Sequence, residues 1–533
     1  MKTATFCLLL LAALPCAAGN KKTSDDLKVT NSDPNAQATI MVQFAGDMSD
    51  QDSADVANKG GRLRVKLGSV AAFSLPVSSI LDVAALPNVV YVSPDRPVLG
   101  QLNYTTAAVN AGIAWKYGWS GAGIGIAIVD SGISPSVDML RGQKGSSGVV
   151  YSEAFGGLAG AVDSYGHGTH VAGIAAGDGS ASQGLMSGIA PGANLINLRV
   201  LDANGAGSDS AVIAAISRAI ELQKKYNIRV LNLSLGRPVH ESYRLDPLCR
   251  AVEAAWKAGI VVVVAAGNGG RDNTFGNQGY GTILSPANDP YVITVGAMKA
   301  MDTLSRGDDQ IASYSAKGPT AIDHIAKPDL VAPGNQVVST IGSGAHTLST
   351  LYPQNAVAGG YFRLSGTSMA APVVSGAAAL LLEQNSSLTP DQVKARLMQS
   401  ATKNFPSASF ATDPVSGVTY ASAYDFLTVG AGYLDIFAAL NSPNPAARQA
   451  LSPAVVYDAT ARTVSMVADS SVIWGSSVIW GSSVIWGSSV IWGSSVVWAD
   501  ATPSGQSVIW GSSVVWADTF TGGGEQTTVL GER

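Results

Sequence analysis

Between residues 121 and 300 the chain passes repeatedly from a short apolar run to a longer amphipathic one. Residues 195–200, 230–235, 260–265 and 291–295 read as strands, and residues 208–226 and 246–257 as helices. Strands that are apolar on both faces cannot border water, so they predict a parallel sheet covered by helices on each side. In such an α/β, three-layer domain, functional groups collect at the carboxyl edge of the sheet. A chain of 533 residues is long enough for this domain and one or two more.

A second constraint comes later. Gly366-Thr367-Ser368-Met369-Ala370-Ala371-Pro372 leads into an apolar run through Leu382, which predicts a helix buried all round. The first turn of such a helix offers unpaired N–H groups and the positive end of the dipole. A serine there can cap the helix, or act as a nucleophile whose oxyanion those groups stabilise. Two further segments favour the nucleophile. Ile128-Val129-Asp130-Ser131-Gly132 ends a strand in a carboxylate, and its Gly-rich approach precedes the strand, unlike a phosphate-binding loop. Gly166-His167-Gly168-Thr169-His170-Val171-Ala172-Gly173 holds two of the chain's 5 histidines. Their spacing, with no adjacent Glu, does not fit the helix of a zinc peptidase. One is expected as a catalytic base, the other as a buried, hydrogen-bonded histidine.

The order Asp130, His167, Ser368 is that of the subtilisin-like serine proteases (subtilases), and the sequence resembles that family over residues 113–441. Besides these three segments, the resemblance is carried by Gly188-Ile189-Ala190-Pro191-Gly192-Ala193, Asn232-Leu233-Ser234-Leu235-Gly236 and Ala265-Ala266-Gly267-Asn268. It implies a serine endopeptidase working through an acyl-enzyme. Ser368 would attack the scissile carbonyl, His167 carry the proton and Asp130 orient the imidazole. Asn268 would donate to the oxyanion together with the Ser368 N–H. The resemblance further implies that Ser234, Leu235 and Gly236 pair with an extended substrate, with residues 205–207 as the opposite edge. Ala265, Ala266 and Gly267, with residues 285–287, would line the pocket for the residue before the scissile bond. Leu284 stands where relatives often carry Gly, which makes that pocket shallower or more apolar.

No cofactor is required for this chemistry. Many subtilases place an Asn-rich Ca²⁺ loop after the histidine motif; here residues 177–184 offer a single carboxylate, Asp178, and no Asn. Calcium prefers several oxygen ligands, so that site is not expected, and structural Ca²⁺ elsewhere is left open without an assigned metal site.

Residues 1–19 have the form of a secretory signal, with Lys2, an apolar core and small residues at Ala17-Ala18. The exported, extracellular protein would then keep one cysteine, Cys249, read as packing. Residues 20–101 are expected as a propeptide, with a ferredoxin-like α+β plait over residues 37–97. The resemblance implies that it assists folding and inhibits the protease intramolecularly, in a self-processing zymogen cut between residues 98 and 106. The catalytic domain is expected over residues 102–445. Protein or peptide substrates are the implied partners, and a net charge of −5 gives no reason to expect nucleic acid.

Residues 446–533 read as a tail with a Ser-Val-Ile-Trp-Gly-Ser repeat that places Trp at 474, 480, 486, 492, 498, 510 and 516. An even period puts every Trp on one face of an extended segment. Such a ladder reads either as stacked or low-complexity sequence, or as a binder of a cell-surface polymer. The alternative function is accordingly a surface or matrix binding protein in which the tail is primary.

Overall fold

The computed structural model describes residues 22–24, 27, 36–95, 102–141, 146–274, 276–413, 416–443, 449–458, 463–467 and 531–532. The expected signal, residues 98–101 of the connector and the Trp repeat lie outside the described residues. The chain divides into two compact units, Met1–Leu99 and Gly100–Arg533.

The first unit runs β1 (Gln37–Phe44), α1 (Asp50–Ala57), β2 (Arg62–Leu67), β3 (Val70–Pro76), α2 (Ile80–Ala84) and β4 (Val89–Pro94). Its antiparallel sheet has the order β2-β3-β1-β4, so the two β-α-β halves interleave as a split pair. Alternation along β1 buries Ile40, Val42 and Phe44 against Phe73, Leu75, Ile80 and Val83. A capping box starts α1: Ser49 Oγ accepts from Asp52 N at 3.1 Å, and Asp52 Oδ2 accepts from Ser49 N at 2.9 Å. The sequence expectations did not include β2. Arg62-Leu63-Arg64-Val65-Lys66-Leu67 alternates with a strand's period, but as an edge strand it is exposed throughout.

The second unit is built on β5 (Gly125–Asp130), β6 (Val149–Ala154), β7 (Asn194–Arg199), β8 (Ile228–Leu233), β9 (Val261–Ala265), β10 (Ile293–Lys299), β11 (Gln310–Ile311) and β12 (Leu330–Pro333). Their order is β11-β10-β9-β8-β5-β7-β6, with β12 also beside β10; every pairing is parallel except β10 with β11. The chain therefore starts in the middle of the sheet and builds outward in both directions from β5. Asp130, the last residue of β5, stands at the switch point where α/β folds place their sites.

Helix α3 (His167–Ala176) packs on α6 (Thr367–Gln384), and α4 (Asp209–Tyr226) on α5 (Pro247–Lys257). With the sheet these give the expected three-layer α/β arrangement. Ser208 and Asp246 cap α4 and α5 through their side chains. Cys249 is buried in α5, where its thiol donates to Asn288 Oδ1 at 3.3 Å and burial pushes its pKa up.

Packing continues past residue 446, where the tail was expected to begin. The Ser452 hydroxyl donates to Asp329 Oδ1 at 2.6 Å and accepts from Lys394 Nζ at 2.9 Å. A hairpin follows, pairing Val455–Asp458 with Thr463–Met466. Among the described residues no helix is long and apolar enough to cross a membrane.

Candidate active site

Asp130 is fully buried, and its Oδ1 lies 2.7 Å from His167 Nδ1. His167 is the first residue of α3, directly after Gly166 with φ 102°. The strand end and the helix start can approach this closely because residue 168 is glycine. A Cβ at Gly168 would stand 2.3 Å from Gly132 O and 3.1 Å from Asp130 Cβ.

A residue that sequence reasoning missed holds the same junction. Asp163 Oδ1 accepts from Ser131 Oγ (2.9 Å), Tyr165 N (3.0 Å) and Gly166 N (2.7 Å), while its Oδ2 accepts from Thr169 N (2.8 Å) and Thr169 Oγ1 (2.7 Å). One buried carboxylate thus ties the end of β5 to the first turn of α3, where negative charge is favoured. The available signal was an acid four residues before the histidine, which on its own reads as a turn.

Burial acts to lower the pKa of His167, but the charge and hydrogen bond of Asp130, with the charge of Asp163, outweigh it and the net shift is upward. His170 differs. Buried with only carbonyls as partners, at 3.0 Å (Phe362 O) and 3.2 Å (Val337 O) from Nε2, it is pushed down to about 3 and stays neutral. His170 is thus the buried, hydrogen-bonded histidine of the two.

Thr367 and every residue from 369 to 382 are buried in α6, whereas Ser368 is not. Pro372 falls inside this helix and cannot donate to the carbonyl four residues back, which is that of Ser368. The Ser234 hydroxyl takes that place, donating to Ser368 O at 2.8 Å, while the Ser368 hydroxyl donates to Ser234 O at 3.2 Å. Asn268 Oδ1 accepts from Thr367 N at 2.9 Å and Thr367 Oγ1 at 3.1 Å. Those two bonds fix the amide orientation and leave Nδ2 as the donor on its other side.

His167, Ser368 and Asn268 all border one cleft of about 640 Å³. Ser234, Leu235 and Gly236 form one wall and Gly205, Ala206 and Gly207 another. Ala265, Ala266 and Gly267 are instead buried, as are Ser285 and Ala287. Leu284 stands beside Gly267. Its Cβ lies 3.0 Å from the point where a Cβ on Gly236 would sit, and its Cγ lies 2.8 Å from the equivalent point on Gly267. The leucine therefore fills the space between the two glycine-bearing segments.

Residues 177–184 do not fit a calcium ion: the Asp178 carboxylate accepts from Ser180 N at 2.9 Å, and neighbouring Asp138 accepts from Tyr361 OH at 2.6 Å and Ala181 N at 2.8 Å. Among the described residues no group of three His, Cys, Asp or Glu is placed to hold a metal.

The family model described as the subtilase family matches residues 121–416. Serine protease AprX of Bacillus subtilis (strain 168) is 35% identical over 373 residues, covering 68% of this chain and 79% of that protein. Subtilisin E of the same strain is 33% identical over 371 residues, covering 68% of this chain and 84% of its own length. The crystal structure of a cold adapted subtilisin-like serine proteinase shares 29% identity, with a TM-score of 0.41, and covers 60% of this chain and 90% of that one. The family match spans more than half of the sequence and the relatives align over most of their length. The chain is therefore a member of the subtilase family of serine proteases, hydrolases that act on peptide bonds.

Proposed function

We propose that this protein is a secreted endopeptidase in which Asp130, His167 and Ser368 form the catalytic triad. The observation that carries the reading is the 2.7 Å contact between Asp130 and His167 at a cleft that Ser368 also borders. In this mechanism the Ser368 hydroxyl turns from Ser234 O toward His167, which removes its proton as Oγ attacks the scissile carbonyl. Asp130 keeps the imidazole in the tautomer with Nδ1 protonated and stabilises the imidazolium that forms. The oxyanion is held by Asn268 Nδ2 and the Ser368 N–H. His167 then protonates the leaving amine, and water releases the acyl group by the same route in reverse.

Substrate would enter as an extended strand along Ser234, Leu235 and Gly236. With Leu284 between Gly236 and Gly267, the pocket for the residue before the scissile bond suits small side chains. Residues 20–101 would act as the inhibitory propeptide and residues 1–19 as the export signal. Calcium has no part in these steps.

Casein hydrolysis by the processed protein, compared with Ser368→Ala, tests the triad. Loss of cleavage in the variant, inhibition of wild type by a serine-directed reagent and an unprocessed Ser368→Ala precursor are expected. Cleavage that survives in Ser368→Ala would overturn the assignment. The Trp repeat favours a second role in retention on a surface polymer. Deleting residues 471–518 should release the protein from cell surfaces with casein hydrolysis unchanged; unchanged retention removes that role.

A further inference from the structure

The penultimate residue of the chain returns to the second unit and is buried there. Glu532 is 6% exposed, and its carboxylate oxygen Oε1 accepts from Arg271 Nη2 at 2.9 Å, from Ser313 N at 2.9 Å and from the Ser313 hydroxyl. Its backbone is bound as well. Glu532 O accepts from Asn335 Nδ2 at 2.9 Å and Gln336 Nε2 at 2.8 Å, and Glu532 N donates to Asn335 Oδ1 at 2.8 Å. The side chain and both backbone groups of one residue are therefore bound together.

The receptor is itself organised. Arg271 is fixed on its far side by Asp413, at 2.8 Å, and its guanidinium lies over the Tyr420 ring, 4.7 Å from the centroid. Its Nε donates to Ser313 Oγ at 2.6 Å. Glycine precedes Glu532 for a steric reason. Gly531 has φ +76°, and a Cβ there would stand 2.4 Å from Ser365 Oγ.

What this contact joins gives it a function. Arg271 lies three residues after Asn268, and Ser365 three residues before Ser368. Ser365 Oγ accepts from Gln336 N at 2.8 Å, and Ser365 borders the cleft. The Gly531-Glu532 segment thus touches both loops that carry the proposed oxyanion donor and nucleophile.

We propose that Arg271, Ser313, Asn335 and Gln336 form a receptor for the chain's own Gly531-Glu532, and that its occupation positions the Asn268 and Ser368 loops against each other. Glu532 is a positioning residue, acting through Arg271 and Ser365. The proposal rests on the triad reading above, because it assigns the two loops their roles. Emptying the receptor removes one of the two carboxylates that Arg271 pairs with among the described residues, and leaves two side-chain amides without the Glu532 peptide. Small shifts of the loops then act on transition-state binding, where misplacement by about 1 Å can cost up to about 100-fold in rate.

The test uses the full processed enzyme, a truncation ending at Leu530, Glu532→Ala and Glu532→Gln, with active sites counted by a serine-directed titrant and the C-terminus checked by intact mass. The truncation and Glu532→Ala should lose about 10-fold in kcat per titrated site with KM within about twofold, since substrate contacts are untouched. Glu532→Gln keeps an oxygen for Ser313 and should fall between. The peptide Leu-Gly-Glu-Arg, added at millimolar concentration, should restore kcat to the truncation, and Leu-Gly-Ala-Arg should not. Wild-type kcat in the truncation, full activity in enzyme that has lost residues 531–533 during maturation, or a loss that appears only in KM each overturn the proposal. Activity in Ser368→Ala, by contrast, overturns the triad reading and leaves a distinct signature.

Discussion

The Ser234 hydroxyl and the Ser368 carbonyl are joined by a 2.8 Å hydrogen bond that exists because Pro372, four residues further along α6, has no N–H to offer. A proline inside a buried helix would ordinarily leave a carbonyl unsatisfied. Here the cleft wall supplies the donor, and the residue proposed as nucleophile is pinned by its own backbone.

Ser234→Ala removes that donor and leaves the carbonyl unpaired. Thermal or denaturant unfolding should show a loss of about 1–3 kcal/mol. A combined Ser234→Ala, Pro372→Ala chain, which restores a helical N–H, should recover most of it. Equal stability in the two variants would show that the proline is not the origin of the contact.

The upward shift of His167 fixes the sign of the pH dependence. Protonated imidazole cannot act as a base, so kcat/KM should rise with pH along an acid limb lying above the ordinary histidine value of 6.5. Asp130→Asn should move the limb down and reduce kcat by about 10⁴ through loss of the correct tautomer. The same pair affects stability: its contribution is fully present below pH 6.5 and is lost as pH rises through the folded value. A limb unmoved by Asp130→Asn would break the link between these two residues.

Leu284 is the residue to change for specificity. Leu284→Gly should open the space between Gly236 and Gly267 and move preference from small toward large apolar side chains before the scissile bond. One or two added methylenes are worth about 10–200-fold in kcat/KM. A peptide series varied at that single position reads the result, and an unchanged ranking places the pocket elsewhere.

Asp329 is fully buried between two fully buried lysines, Lys327 Nζ at 2.7 Å and Lys394 Nζ at 3.1 Å. Burial opposes its ionisation, but the two ammonium groups hold its pKa below the ordinary value. Burial also lowers Lys394, to about 7. Asp329→Asn removes the only carboxylate of the trio and should cost about 3–5 kcal/mol. The deficit should shrink as pH rises from 6 toward 9, because neutral lysines no longer need a counter-charge. A deficit independent of pH would assign the loss to packing.

The sheet was legible because β7, β8 and β9 are apolar runs that no other setting accommodates, and Asp130 was legible as a carboxylate ending such a run, whereas Asn268 came only with the family resemblance. Ser368 was legible through the apolar helix behind it. Asp163 was not, since Asp-Ser-Tyr-Gly carries the local chemistry of a turn and one of its five hydrogen bonds comes from distant Ser131. β2 was missed although it alternates, because none of its side chains is buried. Leu284 was noted, but its filling of the space between Gly236 and Gly267 depends on where its side chain lands. The Glu532 receptor had no local signal at all, because it joins residues that are remote in sequence and meet only in the folded unit.

The position of α6 in the chain has a consequence for synthesis. Asp130, His167 and Asn268 leave the ribosome well before Ser368, and the strands that hold them cannot complete their core until the helix after Ser368 has emerged as well. A chain that stops before residue 367 therefore lacks both the proposed nucleophile and the buried helix behind it. The proposed nucleophile thus emerges together with the buried helix that packs on β8, β9 and β10.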